Sequence, residues 1–397
     1  MKKMKLWQKD YAINKEIEKF TVGNDPILDL LLVKHDCLAS IAHAKMLSEM
    51  GILDNEEFVD LESELRNIIR LVHRGEFKIN IEDEDCHTAI ENHLKKKLGK
   101  TAGKIHTARS RNDQVLTAIR LYSREKLKQV EFSLLGLVKT LGRAGKKYQD
   151  VKMPGYTHSR KAMPYSVGRY FGAFKEALED DRLLLELAYK INDQNPLGSG
   201  AGYGISLKTD RHLTTKLLNF RRTQKNELYC QNSRGKFESI ILFALGQILL
   251  DLERLANDFI LFSMTEFGYF DLPDDFCTGS SIMPHKKNPD VLELVRAKSS
   301  VVISYCFRVI DLVRGLHSGY SRDLQLTKEP LMNGFQITLD TIDIMNLITS
   351  RLKVNKKNCR KACTEEIFSA ERAYDLVKQG MDFRSAYRKI YEKLDNH

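Results

Sequence analysis

The chain has 397 residues, 42% of them hydrophobic and 29% charged, and a formal net charge of +10. This is a soluble globular composition, long enough for two or three domains around a large core. The longest apolar run, Ile240 to Leu250, already contains Gly246 and Gln247 and stops at Asp251, well short of the ~20 residues a membrane span needs.

The start, Met1-Lys2-Lys3-Met4-Lys5-Leu6-Trp7, is basic but has no apolar stretch behind it, so it is not read as a signal peptide. Residues 1 to about 107 carry shorter helical patterns and polar turns. From there the eight prolines map the chain. None lies between Pro26 and Pro154, between Pro196 and Pro273, between Pro289 and Pro330, or after Pro330. Proline breaks a helix interior, so these gaps leave room for very long helices. Val115, Ile119, Tyr122, Val130, Leu134, Leu137 and Leu141 repeat at helical spacing. Further helical stretches run from Tyr165 to about Asn192, Ser233 to Phe267, Pro289 to Leu316, and Pro330 to Lys353. Alternating strand patterns are nearly absent. The expected architecture is all-α: an up-and-down bundle of long helices over about 108–353. Residues 1–107 form an N-terminal helical domain, and about 354–397 a short basic helical tail. Several bundle helices are apolar on more than one face, which predicts burial against other copies of the chain.

Seven scattered cysteines, with no Cys-x-x-Cys pair, point to reduced thiols in a cytoplasm. The closest two, Cys359 and Cys363, have no histidine near them, and no metal is assigned. Basic residues are spread along the chain without a nucleic-acid-binding motif, so a lysine-rich solvated surface is expected and no nucleic-acid partner.

The unusual chemistry sits in the loops. Ahead of the first long helix stands His106-Thr107-Ala108-Arg109-Ser110-Arg111-Asn112-Asp113-Gln114. Ser110 or Asp113 can cap that helix. Capping alone does not require Arg109, Arg111 and Asn112 together, and two guanidinium groups at a helix start suit a carboxylate ligand. Pro154-Gly155-Tyr156-Thr157-His158 reads as a loop before the second helix. Asn195 to Gly204 is glycine-rich, yet it fits neither a Walker A loop nor a dinucleotide fingerprint. Close backbone approach to an anion or another chain is left open there. Gly279-Ser280-Ser281-Ile282-Met283-Pro284-His285-Lys286-Lys287-Asn288-Pro289-Asp290 is the strangest stretch for ordinary structure: two prolines stiffen a loop bearing hydroxyls, an imidazole, two ammonium groups and an amide.

That serine loop resembles the signature of the fumarase/aspartase superfamily, and its Met-Pro-His-Lys-Lys-Asn-Pro-Asp form looks most like argininosuccinate lyase. Four further segments match that family in the same order. They are Glu82-Asp83-Glu84-Asp85-Cys86-His87, the His106–Gln114 segment, Gly155-Tyr156-Thr157-His158, and Gly319-Tyr320-Ser321-Arg322-Asp323-Leu324-Gln325 with Lys328. The resemblance implies that argininosuccinate is split to arginine and fumarate by acid/base elimination across a C–N bond, without metal or organic cofactor. It makes His158 and Ser280 the acid/base pair, leaving open which removes the proton. Lys286 would stabilise the serine alkoxide and Glu293 would orient His158. Substrate contacts implied are His87, Ser110, Arg111, Asn112, Thr157, Asn288, Tyr320, Gln325 and Lys328. It also implies a homotetramer whose sites are each built from three subunits.

The chain departs from that family in three places. Ser159-Arg160 stands where Leu-Gln is common. Gly23 and Asn24 occupy the region of a substrate-contacting serine. The sequence stops soon after Arg384, where relatives usually continue into a longer helical region. The competing readings are adenylosuccinate lyase, a non-catalytic structural homologue, and a basic helical RNA-binding protein.

Overall fold

The computed structural model describes residues 14 to 395; the basic start with Leu6 and Trp7 lies outside them. Five long helices dominate: Arg111–Lys147, Val167–Asn192, Lys236–Ser263, Asp290–Val313 and Lys328–Arg351. They fill the stretches the prolines left open, and the long-helix architecture is the one expected. The longest has 37 residues and spans ~55 Å at 1.5 Å per residue.

Helix starts follow local chemistry. Asp54 and Glu57 form a capping box on Asn55–His73, satisfying amides that have no partner inside the helix. Asp85 caps Cys86–Leu98 by accepting from the Thr88 amide at 2.9 Å. The Ser110 hydroxyl accepts from the Asn112 amide at 3.2 Å, and the Ser110 amide donates to Asp113 at 3.0 Å. The first long helix is therefore capped by the residues the sequence offered for it.

The chain divides into two compact units, each drawn from separate segments. The first takes the described residues up to Val130, Leu184–Leu245 and Val302–Gln336; the second takes Glu131–Leu183, Gly246–Val301 and the described residues from Ile337 onward.

In the first unit, helix Val33–Glu49 sets Ala39 and Ala42 against Leu121, Leu197, Leu218 and Phe220. The same helix buries Asp36, Ser40 and His43 at helical spacing. Buried polar groups are costly unless hydrogen-bonded, and each of these has a partner. Asp36 meets His87 and Gln114, Ser40 accepts from Arg109 at 2.8 Å, and His43 Nε2 lies 2.9 Å from the Thr107 carbonyl. Burial pushes the His43 pKa down to about 3, so its imidazole is neutral and donates to that carbonyl.

The second unit has an aromatic core. Phe259 and Phe262 meet Phe270 edge-to-face, each at 5.7 Å, the geometry that ring quadrupoles favour. Against it stands a hairpin, Lys152–Thr157 paired with Arg160–Ser166. The Tyr156 hydroxyl reaches the Tyr269 hydroxyl at 2.6 Å, and the Tyr156 ring packs on Phe262 and Phe267. This corrects the expectation of a loop running into a helix at Tyr165; the helix begins at Val167. Two prolines hid the strands. Pro154 pairs with Pro164, and the register shifts at Gly155, so neither strand shows clean alternation. Farther along, Ala373, Ala386 and Ile390 form a small core between helices Ser369–Lys378 and Phe383–Asp395.

Candidate active site

The first unit holds a cleft of about 420 Å³. Of the residues singled out above, His87, Arg111, Asn112, Tyr320, Gln325 and Lys328 line it. They come from three separate stretches of chain. Lys328 lies at its base, 3% exposed, with its ammonium 2.6 Å from Asp29 and 2.8 Å from Asp25. Burial works against that charge, but the two carboxylates outweigh it and hold the Lys328 pKa above its ordinary value. Burial pushes Asp25 up to about 6 against the pull of Lys328.

Arg111 does not offer its guanidinium to the cleft freely. It is paired with the cap residue Asp85 and lies 3.4 Å from Glu84. Arg109 is buried, with Ser40 at 2.8 Å. The two cations expected at this helix start to suit a ligand carboxylate lie against protein carboxylates and a hydroxyl, and Arg111 still lines the cleft. Gln325 is also engaged, donating to the Thr21 and Val22 carbonyls at 3.0 and 3.3 Å. Ser110 does not line the cleft; its hydroxyl caps the helix that presents Asn112.

The glycine-rich segment has a structural anion. The Gly198 and Gly200 amides donate to Asp113 Oδ2 at 2.9 and 3.0 Å. Both glycines have positive φ, 82° and 64°, which lets successive amides converge on one oxygen. Burial pushes Asp113 up to about 6 despite those donors.

In the second unit, Thr157 ends the first hairpin strand and His158-Ser159 form the two-residue turn, with φ of 52° and 57°. Both residues are left-handed, as a type I′ turn requires. His158 is therefore carried on the tip of a short, tightly turned hairpin. Glycine tolerates this conformation better than serine, by roughly 1 kcal/mol. Ser159→Gly is expected to raise the thermal midpoint slightly and keep the rate, whereas Ser159→Val should lower both. Equal stability for the two variants in a melting experiment would contradict the turn geometry.

Ser280, Lys286 and Asn288 share one loop. Its base is an antiparallel bridge: the Thr278 amide donates to the Asn288 carbonyl at 3.0 Å and the Asn288 amide returns at 2.8 Å. Lys287 is tied to Asp274, and Thr278 to Asp290. Inside the loop, Ser280 Oγ accepts from the Ile282 and Met283 amides at 3.3 and 3.1 Å. Lys286 is exposed, and Glu293 is exposed on the helix that follows. Among the described residues, no hydrogen bond or ion pair links His158 to Ser280 or to Glu293 within the chain.

Several residues of the first-unit cleft escaped the sequence reading. Asp25 and Asp29 are separated from Lys328 by about three hundred residues, and nothing local marks them as its partners. Arg322 and Glu84, 238 residues apart in the chain, pair at 2.9 Å. Arg234 is 4% exposed, and its guanidinium lies over the Tyr320 ring at 5.9 Å. Asp36, Cys86 and His87 place one polar atom each within 4.8 Å of one another; the 2.8 Å between Asp36 Oδ2 and His87 Nδ1 is a hydrogen bond.

Residues 3–304 match the lyase family. Argininosuccinate lyase of Thermotoga neapolitana is 49% identical over 389 residues, covering 98% of this chain and 98% of that protein. Argininosuccinate lyase of Bacteroides fragilis is 44% identical over 386 residues, covering 97% of this chain and 86% of that protein. The fold is similar to that of EDDS lyase solved with formate (TM-score 0.82, 24% identity, 97% of this chain and 77% of that one). It is similar too to the fumarate lyase:delta crystallin of Brucella melitensis solved with cobalt (TM-score 0.81, 19% identity, 96% and 88%). At such identities these two structures speak for the fold alone. With the family matched over most of its length and the sequence relatives covering nearly all of it, the chain belongs to the lyase family, among the argininosuccinate lyases.

Proposed function

We propose that the chain cleaves argininosuccinate to arginine and fumarate, with Ser280 as base and His158 as acid. The observation that carries this reading is the environment of the Ser280 hydroxyl. A serine hydroxyl is a weak base unless its alkoxide is stabilised. Two loop amides already aim their hydrogens at Oγ, and donors aligned before the reaction stabilise developing charge without reorganisation. Lys286 adds a positive charge to the same loop.

The reaction balances as follows. Ser280, as an alkoxide whose own proton has gone to solvent, takes a proton from the carbon next to a substrate carboxylate and becomes the hydroxyl again, and the electrons move into that carboxylate as an aci-carboxylate. They return to form the double bond of fumarate as the C–N bond breaks. His158 gives a proton to the departing nitrogen of arginine, a role suited to an imidazole, which ordinarily titrates near neutral pH. Glu293 orients His158. Asn112, Thr157, Asn288, Tyr320, Gln325, Lys328 and His87 hold the substrate, while Ser110 and Arg111 fix the helix start that presents Asn112.

These groups work in a homotetramer whose sites are shared by three subunits. Large apolar side chains stand in the open on the long helices, Phe132 80% exposed and Phe307 67% exposed, as expected of surfaces covered by other copies. The seven cysteines are unpaired, which suits a reducing cytoplasm.

The test is direct. Purified protein mixed with argininosuccinate, without added metal, should generate the ultraviolet absorbance of fumarate. Turnover of adenylosuccinate alone, or no turnover by folded protein, would sink the proposal.

A further inference from the structure

His87 lines the cleft, yet one face of its ring is turned to a carboxylate that the substrate cannot reach. Nδ1 lies 2.8 Å from Asp36 Oδ2, and Asp36 is fully buried on helix Val33–Glu49. Gln114 also holds the carboxylate, donating to Oδ1 at 3.0 Å and to Oδ2 at 3.3 Å. The opposite ring nitrogen, Nε2, is buried and has no hydrogen-bond partner among the described residues. A buried imidazole nitrogen left without a partner is destabilising, so an unfilled partner position beside a cleft marks where a ligand atom belongs.

We propose that Asp36 is a positioning residue which holds His87 as an imidazolium, its Nε2 hydrogen directed at a carboxylate of the bound substrate. This rests on the argininosuccinate reading for the identity of the ligand, but the Asp36–His87 pair is a claim of its own. The other acidic groups facing His87 are Asp85, which precedes it, and Asp29. Both have cations of their own: Asp85 pairs with Arg111 and Asp29 with Lys328. Neighbouring Cys86 is a thiol that burial pushes further toward its neutral form. Asp36 is thus the carboxylate left to the imidazole. The balance agrees with the geometry: burial opposes the charge on His87, the surrounding carboxylates, Asp36 foremost with Asp85 and Asp29 behind it, outweigh burial, and the pKa rises above the ordinary histidine value. Aspartate behind a histidine fixes both its orientation and its protonation.

The sign of the pH effect follows. The cation is present at low pH and is lost as pH rises through the His87 pKa. Removing Asp36 lowers that pKa, so the alkaline limb of kcat/KM moves to lower pH. Asp36→Asn should also weaken substrate capture ~10–100-fold, the range for a hydrogen bond to a charged group, mainly through KM. Asp36→Glu, which keeps the carboxylate, should restore part of the loss. Asp36→Asn combined with His87→Gln should be little worse than His87→Gln alone, because both changes break one unit. An unmoved alkaline limb in Asp36→Asn, or losses that multiply in the double variant, overturns the proposal.

If Asp36→Asn does not fold, the wild-type protein decides. Nitrogen NMR of its labelled histidines should show His87 protonated on both nitrogens at pH 7; a bare Nε2 refutes the pair. That spectrum does not depend on turnover. Absence of fumarate from the wild type therefore defeats the reaction, and a bare Nε2 defeats the pair.

Discussion

Ser280→Ala is expected to lower the rate of fumarate release by ~10²–10⁴-fold, the range for loss of an acid/base group, with the thermal midpoint nearly unchanged. The stability half follows from position. Ser280 sits in a loop whose ends are held by the Thr278–Asn288 bridge and the Lys287–Asp274 ion pair, neither of which involves its hydroxyl. Alanine frees two loop amides, those of Ile282 and Met283, in a segment exposed enough for water to replace the lost acceptor. The rate half follows from chemistry: alanine leaves those amides with no oxygen to stabilise. Ser281→Ala is the control, since Ser281 is exposed. A damaging Ser281→Ala beside a harmless Ser280→Ala would place the base one residue along the loop.

The second large effect is recovery of activity on mixing two dead proteins. His158→Asn and Ser280→Ala should each be nearly inactive alone. Co-assembled, they should regain a fraction of wild-type activity if the two residues of one site come from different subunits, because some mixed sites then contain neither change. Within one chain, among the described residues, no hydrogen bond or ion pair joins His158 to Ser280. If both came from one subunit, every site would keep a defect and no mixing ratio would restore turnover. A chain that is monomeric by light scattering and still cleaves argininosuccinate would refute the shared site.

The helices were legible because proline and apolar spacing act locally. Val115, Ile119, Leu134 and Leu137 announce a helix from their own neighbourhood, and Ser110 and Asp113 announce its start. The hairpin under His158 was hidden because Pro154 and Pro164 suppress the strand pattern while facing each other in the pair. The serine loop was legible as chemistry, since few structural turns combine Ser280, Lys286 and Asn288 between prolines. The polarity of the cleft was not. Arg109 and Arg111 look like ligand-binding cations in one dimension. In the fold their charges meet Ser40 from helix Val33–Glu49 and Glu84 and Asp85 from the turn ahead of helix Cys86–Leu98. Asp25, Asp29 and Asp36 stand beside apolar residues in a helical stretch, and only the folded chain sets them against Lys328 and His87.

The most direct test of the account is product analysis in a single tube. Argininosuccinate and adenylosuccinate are incubated together with the protein, without metal, and all species are followed by proton NMR. The account predicts that argininosuccinate disappears while arginine and fumarate rise in equal amounts, and that adenylosuccinate stays intact. Fumarate formed at the expense of adenylosuccinate, or malate in place of fumarate, would contradict it.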